Sequence, residues 1–492
     1  MRGRPVFKDF RGIGHYVEQD DVRTAGAKAP PMAVPMSLVE WRMEVVEAGA
    51  KLKGSSAPGL DDIPPDFVKC ALPRMSMQIA QVAERSAWEG VPFEWRGAKL
   101  FPAPRKPSRP LSLANSRAVA CPSSFAKVYA NILRKRLAAP LKAGAGDLQM
   151  GAVKGGSVDF LVHAARAWFA RGRCLRKPVG LLFIDIRSAF YSCLPEIAVG
   201  RVLTSAVRSG VLGRLGFSGE EVRVFAANFL QYGSWLEGLG LDDQWRAVAQ
   251  DWVGDNWLQL VGSTRGSTRQ LQVLVGTRPG DVPADVIFCL CLLCLQYELL
   301  GALEEQGLVA ELPVVKGAIF PAAEMHPVQC KVVPFTYMDD LAIPLEAKDC
   351  SQLLDSVGKA ADSFSVIARS VGLQPDFDAG KTEAAVLLRG PGSRMATRWL
   401  ASREQGDDRV PTVPIADGTQ LRVVRMYKYL GAKLTTPGGL ACAQEVAARA
   451  DSAKAATGAV GSLLARKCLP VKSRMLVAEA CIFQSLAGCR VS

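Results

Sequence analysis

The stretch Pro334-Phe-Thr-Tyr-Met-Asp-Asp-Leu-Ala-Ile-Pro344 decides how the rest of the chain is read. Apolar residues flank two adjacent carboxylates, Asp339 and Asp340, and a proline bounds each end. The pattern predicts a strand, a tight turn and a second strand, with the acids at the tip. Adjacent like charges repel, and a hard cation with oxygen ligands, Mg²⁺ or Mn²⁺, would neutralise them. A polar turn between two ordinary strands accounts for the same tetrapeptide. A second acid shifts the balance. Val179-Gly-Leu-Leu-Phe-Ile-Asp185 is apolar up to its last residue, as a strand buried on both faces should be, and it ends in a carboxylate. An unpaired Asp there would be costly. Two metal ions about 3.5–4 Å apart, bridged by carboxylates from neighbouring strands, would relieve the charge and catalyse phosphoryl transfer.

The same residues resemble a known family. Asp185 is followed four and five residues later by Ala189 and Phe190, which resembles motif A of reverse transcriptases, and Tyr337-Met-Asp-Asp340 resembles motif C. Lys53-Gly-Ser-Ser-Ala-Pro-Gly-Leu-Asp-Asp-Ile-Pro-Pro65 is similar to the first fingers motif of the non-LTR (LINE-type) retrotransposon enzymes. Asp62 stands where that family has its second Gly, which predicts a different local backbone. Arg117 and Lys127, ten residues apart, are similar to the family's fingers strand and helix, and would face the incoming triphosphate or the template. Gln149, Gly151 and Ser157 match a template-binding segment before a helix. Gly276-Thr-Arg-Pro-Gly280 resembles motif B, with Pro279 in the place of a Gln that supports the template, and Gly280 close to the nascent base pair. Residues 372–383 are similar to motif D, which makes Lys381 a candidate general acid for departing pyrophosphate. Tyr427-Lys-Tyr-Leu-Gly431 resembles the strand that ends the palm.

The remaining signals come from the residues themselves. The 492-residue chain carries 60 Lys and Arg against 47 Asp and Glu, a formal charge of +13 that points to a polyanionic partner. Between Arg96 and Arg136 there are ten cations (Arg96, Lys99, Arg105, Lys106, Arg109, Arg117, Lys127, Arg134, Lys135, Arg136) and no acid. They would repel one another unless an anion sat among them, and a phosphate backbone or a triphosphate would serve. Thirteen irregularly spaced cysteines and the lack of a signal peptide predict reduced thiols in an intracellular protein, nuclear or cytoplasmic and not secreted. Cys289, Cys291 and Cys294 read as small core hydrophobes, although a zinc site stays open. Their apolar run, 286–295, is shorter than the ~20 residues a membrane span needs.

Periodicity gives a helix from Ser37 with Leu38, Trp41, Val45 and Val46 on one face, another starting near Pro64 or Pro65, and a third over 363–371. Residues 389–410 read as a polar, Gly-rich insertion. The resulting expectation is an α+β chain. A flexible leader spans 1–36, helical fingers 37–178, a palm sheet carrying the catalytic Asp residues 179–435, and a helical thumb 436–492, together a right-hand polymerase. The resemblance implies RNA-directed DNA polymerase activity, with Asp185, Asp339 and Asp340 holding two Mg²⁺ (or Mn²⁺) ions. An RNA template, a DNA primer or target and dNTP would be its partners. Phe190 would lie beneath the sugar of the incoming nucleotide, with Tyr191 or a plain core role for Phe190 as the other readings. An RNA-directed RNA polymerase needs the same three carboxylates, and a catalytically silent RNA-binding scaffold fits Pro279.

Overall fold

The computed structural model describes residues 36–54, 56–104, 116–200, 205–232, 238–254, 256–261, 268–273, 275–314, 328–405, 409–436, 441–466 and 468–483. All but the last residue of the expected leader lie outside these, as do Arg105, Lys106, Arg109 and residues 484–492 of the expected thumb. Internal contacts divide the chain into two interleaved units. One comprises Met1–Lys154, Ile186–Glu298 and Ser365–Gln374, and the other Gly155–Asp185, Leu299–Phe364 and Pro375–Ser492.

The first unit is built on a four-stranded mixed sheet of β1 (Gly97–Pro104), β2 (Ser116–Pro122), β4 (Trp257–Val261) and β5 (Thr268–Gln272), in the order β2-β1-β4-β5. β1 pairs antiparallel with β2 and parallel with β4, so Ala98, Leu100, Ala118, Ala120, Leu258 and Leu271 share one core face. The helix Leu38–Ala50 starts at a capping box, in which the Ser37 hydroxyl accepts from Glu40 N–H and the Glu40 carboxylate accepts from Ser37 N–H. It buries Trp41, Val45, Ala48 and Gly49, whereas Val46, expected on that face, is exposed because it lies one residue, about 100°, past Val45. The next helix, Pro65–Glu89, begins where expected, with proline in its first turn. Ser124–Ala145 is capped by the Ser123 hydroxyl, which accepts from Ala126 N–H at 3.1 Å.

The helix Ala284–Glu305 runs well beyond the apolar stretch seen in the sequence, and by length and composition alone it could cross a membrane. Within its most apolar window 72% is buried inside the protein, which makes it a core helix. Cys289, Cys291 and Cys294 are buried in it, as small core hydrophobes would be.

The second unit holds a seven-stranded mixed sheet in the order β11-β12-β13-β10-β3-β9-β8. Its strands are β3 (Val179–Ile184), β8 (Phe335–Tyr337), β9 (Asp340–Glu346), β10 (Glu383–Leu387), β11 (Glu404–Gln405), β12 (Val410–Pro414) and β13 (Gln420–Val423), while β6 (Glu311–Val314) and β7 (Val328–Lys331) form a separate antiparallel pair. Every residue of β3 is buried, which accounts for its unbroken apolar run. β3 lies antiparallel between β9 and β10. The helix Val158–Leu175, which sequence assigned to the fingers, belongs to this unit. Trp168 Nε1 donates to Gly180 O at 3.1 Å, and Gly172 has no room for a Cβ against Val179.

Two expectations are corrected here. The helix read as 363–371 is the end of a longer one, Cys350–Ser370, whose buried face includes Leu353, Val357, Ala361 and Phe364. Residues 389–410 are not a structureless insertion, because the helix Ser393–Ala401 buries Ala396 and Leu400 and leads into β11 and β12. Beyond the sheet come the hairpin β14 (Met426–Tyr429) and β15 (Ala432–Thr435), then the helices Ala441–Leu464 and Val471–Ala478. Among the described residues of these two helices Ala453 alone is buried.

Candidate active site

Asp185 stands one residue past the end of β3, and Asp340 opens β9. The register pairs Ile184 with Leu341, so one step beyond that pair the two acids face each other across adjacent antiparallel strands. The β8–β9 hairpin forms with the acid pair at its tip, but Pro344 does not end it, because β9 runs on through Pro344, opposite Leu181, to Glu346. Tyr337 pairs with Asp340, and the turn passes through Met338 at φ +55° and Asp339. Lys381 comes from the turn before β10, the other neighbour of β3, and its Nζ donates to Asp185 Oδ2 at 2.9 Å. The second unit therefore gathers Asp185, Asp339, Asp340 and Lys381 from three consecutive strands.

Residues that sequence reasoning passed over hold this group in place. Thr382 Oγ1 accepts from Asp185 N–H at 3.1 Å, and Asp185 O accepts from Asp376 N–H at 3.0 Å, so the main chain at Asp185 is bound on both sides. Glu383 is buried, and its Oε1 accepts from Gly380 N–H at 2.8 Å and from Arg422 Nε at 2.9 Å, which fixes the turn that presents Lys381. Gly380 itself adopts φ +78°, open to glycine without strain. The Tyr427 hydroxyl donates to Lys381 O, and the Tyr429 hydroxyl to Phe335 O, each at 2.7 Å. Both rings pack on Phe183, Tyr427 stacked at 4.1 Å and Tyr429 tilted at 5.4 Å between centroids. The alternation Tyr-Lys-Tyr, two aromatics on one face of a strand, was the signal available for them.

The electrostatics follow from this crowding. Asp340 keeps solvent access at the hairpin tip, yet the packed strands around its carboxyl and the negative charges of Asp339 and Asp185 push it up to about 7, against the opposing pull of Lys381. Burial also raises Asp185, and Asp376 adds to the shift, while Lys381 works against it. Burial and the charges of Asp185, Asp340 and Glu383 raise the Tyr427 phenol, so it stays a neutral donor. The donor set suits a hard divalent cation: three carboxylates whose mutual repulsion favours a positive charge among them. Among the described residues no three such side chains are preassembled as metal ligands.

The first unit contains most of the other candidates. Lys127 is buried, its Nζ donates to Ala57 O at 2.8 Å, and burial lowers its pKa. The amine thus ties the 57–63 loop to the start of its helix. Gly59 lies so close to Pro122 and Ser123 that a Cβ has no space, and Asp61 Oδ2 accepts from Ser124 N–H at 3.2 Å. Asp62 adopts φ +53°, the left-handed region that glycine favours and Asp tolerates, and its carboxylate pairs with Lys99.

The loop 276–283 joins several candidates. Thr277 N–H donates to Phe190 O at 2.8 Å, and Ala120 N–H donates to Pro279 O at 2.7 Å. Gly280, at φ +100°, sits where a Cβ would come 2.4 Å from Ala120 O. Under the loop, Asp281 Oδ2 accepts from Arg278 Nη2 at 2.6 Å and from Trp252 Nε1 at 3.1 Å, all of them buried. Phe190 stacks on Phe288 with centroids 4.3 Å apart, and the Tyr191 hydroxyl donates to Ala118 O.

Gln149 turns inward: it is buried, and its Oε1 accepts from Gly151 N–H at 2.8 Å. Ser157 belongs to the second unit, where its hydroxyl caps the helix Val158–Leu175. The expected template-binding trio is therefore split between the units.

Among the described residues, five cations of the basic segment meet acids of the protein itself. Arg96 pairs with Asp251, Lys99 with Asp62, Arg134 with Asp285, Lys135 with Glu44 and Glu47, and Arg136 with Glu44. Acids distant in sequence supply the compensation, which a local charge count misses. Arg117 is exposed on the outer strand β2. No protein-family model matches the chain, and no curated protein matches it.

Proposed function

We propose that the chain is an RNA-directed DNA polymerase that extends a primer with dNTPs, with the seven-stranded sheet of its second unit as the palm sheet. The observation that carries this reading is the meeting of Asp185 with Asp339 and Asp340 at one end of adjacent strands, their charge opposed by Lys381. That three-strand arrangement joins residues up to 196 positions apart. It supports a chemical role better than a polar turn, which needs no partner on a second strand.

In this reading the primer 3′-hydroxyl attacks the α-phosphorus of a deoxynucleoside triphosphate, and pyrophosphate leaves. With Mg²⁺ or Mn²⁺ bound, Asp185, Asp339 and Asp340 would give the site the Lewis acidity that phosphoryl transfer requires. Asp185 is oriented by Thr382 and Asp376, and the hairpin turn carries the other two acids. Lys381 Nζ holds a proton beside Asp185 Oδ2 and can pass it to the leaving group. The silent-scaffold reading draws on the lack of preassembled metal ligands among the described residues.

The test is primer extension on poly(A) with oligo(dT), dTTP and Mg²⁺ or Mn²⁺. Extension by the wild type and its loss in Asp340→Asn are expected. No extension with either metal would leave the scaffold reading standing, and equal extension with UTP on an RNA primer would favour an RNA polymerase.

A further inference from the structure

At the other end of β3 and β10, six residues or about 20 Å from Asp185 along the strand, lies a cleft of about 850 Å³ within the second unit. Three arginines line it: Arg176 from the end of the helix Val158–Leu175, Arg389 just past β10, and Arg394 in the first turn of the helix Ser393–Ala401. No acid is among the lining residues. Among the described residues none of the three guanidinium groups has an ion pair, and the neighbouring Glu346 is already taken by Arg171 and Lys177. Three unpaired cations around one concavity repel each other, and an anion between them removes that cost.

The backbone of the cleft is fixed for close approach. Gly390, at φ +95°, lies where a Cβ would come 2.6 Å from Arg176 O, so only glycine brings Arg389 and Arg394 this near to Arg176. Pro391 O accepts from Cys350 N–H at 3.0 Å, and the Ser393 hydroxyl donates to Leu388 O at 2.9 Å. The nine-residue helix that follows opens into the cleft at Gly392, and no side chain caps it. Ser393 N–H is taken by Gly390 O, and the positive end of the helix, with the next N–H groups at Arg394 and Met395, adds to the arginine field.

We propose that this cleft binds the phosphodiester backbone of a single-stranded RNA, at a place separate from the carboxylate cluster. Guanidinium groups engage phosphate oxygens through paired N–H donors, and exposed N–H groups at a helix start do the same. An open cleft of this volume takes consecutive phosphates of a strand more readily than it encloses a single small ion.

The experiment uses the full chain and a fluorescein-labelled 12-nucleotide oligo(U), with binding measured against KCl concentration. The triple variant Arg176→Gln, Arg389→Gln, Arg394→Gln alters exposed side chains only, so the fold persists, which circular dichroism checks. Its binding should weaken roughly tenfold or more, and its log–log salt slope should become shallower by about 2, on the order of 0.7 for each phosphate that the variant no longer neutralises. The corresponding lysine triple should restore most of the slope. RNA binding unchanged in the glutamine triple would overturn the proposal. Displacement of the RNA by micromolar inorganic phosphate or pyrophosphate would overturn the strand assignment in favour of a small-anion site. The readout is binding and not incorporation, so failure of the polymerase reading leaves this result intact.

Discussion

Lys381 Nζ lies 2.9 Å from Asp185 Oδ2, while across the strand pair Asp340 carries the repulsion of both Asp185 and Asp339. The ammonium works against the burial and the two negative charges that together push the Asp340 carboxyl up to about 7. In the polymerase reading, Asp185→Ala and Asp339→Ala should each abolish nucleotide incorporation while leaving RNA affinity within a few-fold, since these side chains would hold cations and not phosphate. Lys381→Ala should lower kcat by roughly 10²-fold or more with little change in KM, the size of effect that a general acid supplies. Wild-type incorporation by either Asp variant would remove these residues from the chemistry.

The loop 276–283 is held by main-chain hydrogen bonds at the position where a glutamine side chain was expected. Pro279 contributes its carbonyl to Ala120 N–H, which glutamine would do equally well, so Pro279→Gln should leave stability within about 1 kcal/mol. Gly280→Ala should cost about 2 kcal/mol or more, through its left-handed backbone and its closeness to Ala120 O. Asp281→Asn should cost about 3–5 kcal/mol, because the Arg278 charge would stay buried without its partner. Urea titration of the three variants checks the order. If Pro279→Gln proved the most damaging, the loop would depend on the ring of Pro279 and not on the Arg278–Asp281 pair.

Much of this was legible in the sequence because the relevant signals are local. The apolar run 179–184, the acid pair at 339–340 and the helix starts at Ser37 and near Pro65 each specify backbone within a few residues, and these elements formed where they were read, although β9 runs on through Pro344. What stayed hidden depends on partners far along the chain. Arg96, Arg134, Lys135 and Arg136 look uncompensated until Glu44, Glu47, Asp251 and Asp285 come beside them. Likewise nothing near Lys127 in the sequence shows that its amine would turn toward Ala57 O, nor near Glu383 that it would brace the Lys381 turn. The helix Ser393–Ala401 was missed because its flanking glycines and short length resemble a loop, although Ala396 and Leu400 give it a buried face.

Acid should loosen the second unit at Glu346. Burial alone would raise its pKa, but Arg171 and Lys177 outweigh that and hold the carboxyl below the ordinary range. A pKa lower in the folded than in the unfolded state stabilises the fold at pH values above the unfolded one, about 4.3. That contribution is lost as pH falls from there through the folded value. Glu346→Gln should therefore cost on the order of 1 kcal/mol at pH 7 and progressively less below pH 4, with Arg171→Met following the same course. Thermal melts of wild type and variants from pH 7 to pH 3 should converge at the acid end. A difference that stays constant over the range would mean that packing, and not charge, gives Glu346 its effect.

In the polymerase reading, Phe190 would set the sugar specificity. The ring stacks on Phe288 at 4.3 Å with an interplanar angle of 26°, and the carbonyl of the same residue accepts from Thr277 N–H. Backbone and ring are thus both fixed. A rigid apolar ring beneath the sugar would leave no room for a 2′-hydroxyl and offer it no hydrogen bond, whereas an RNA polymerase needs polar groups there. Phe190→Val should reduce discrimination against ribonucleotides by on the order of 1–3 kcal/mol, as kcat/KM ratios for dTTP and UTP would show. It should also lose about 1 kcal/mol of stability with the aromatic stack. Tyr191 provides the control, because its hydroxyl is committed to Ala118 O at 2.8 Å. Tyr191→Phe should cost about 1 kcal/mol of stability and leave sugar selectivity unchanged. If Phe190→Val loses stability while selectivity stays at the wild-type value, Phe190 is a core residue and nothing more. If the wild type already uses both sugars equally, the protein is an RNA polymerase and not a DNA polymerase.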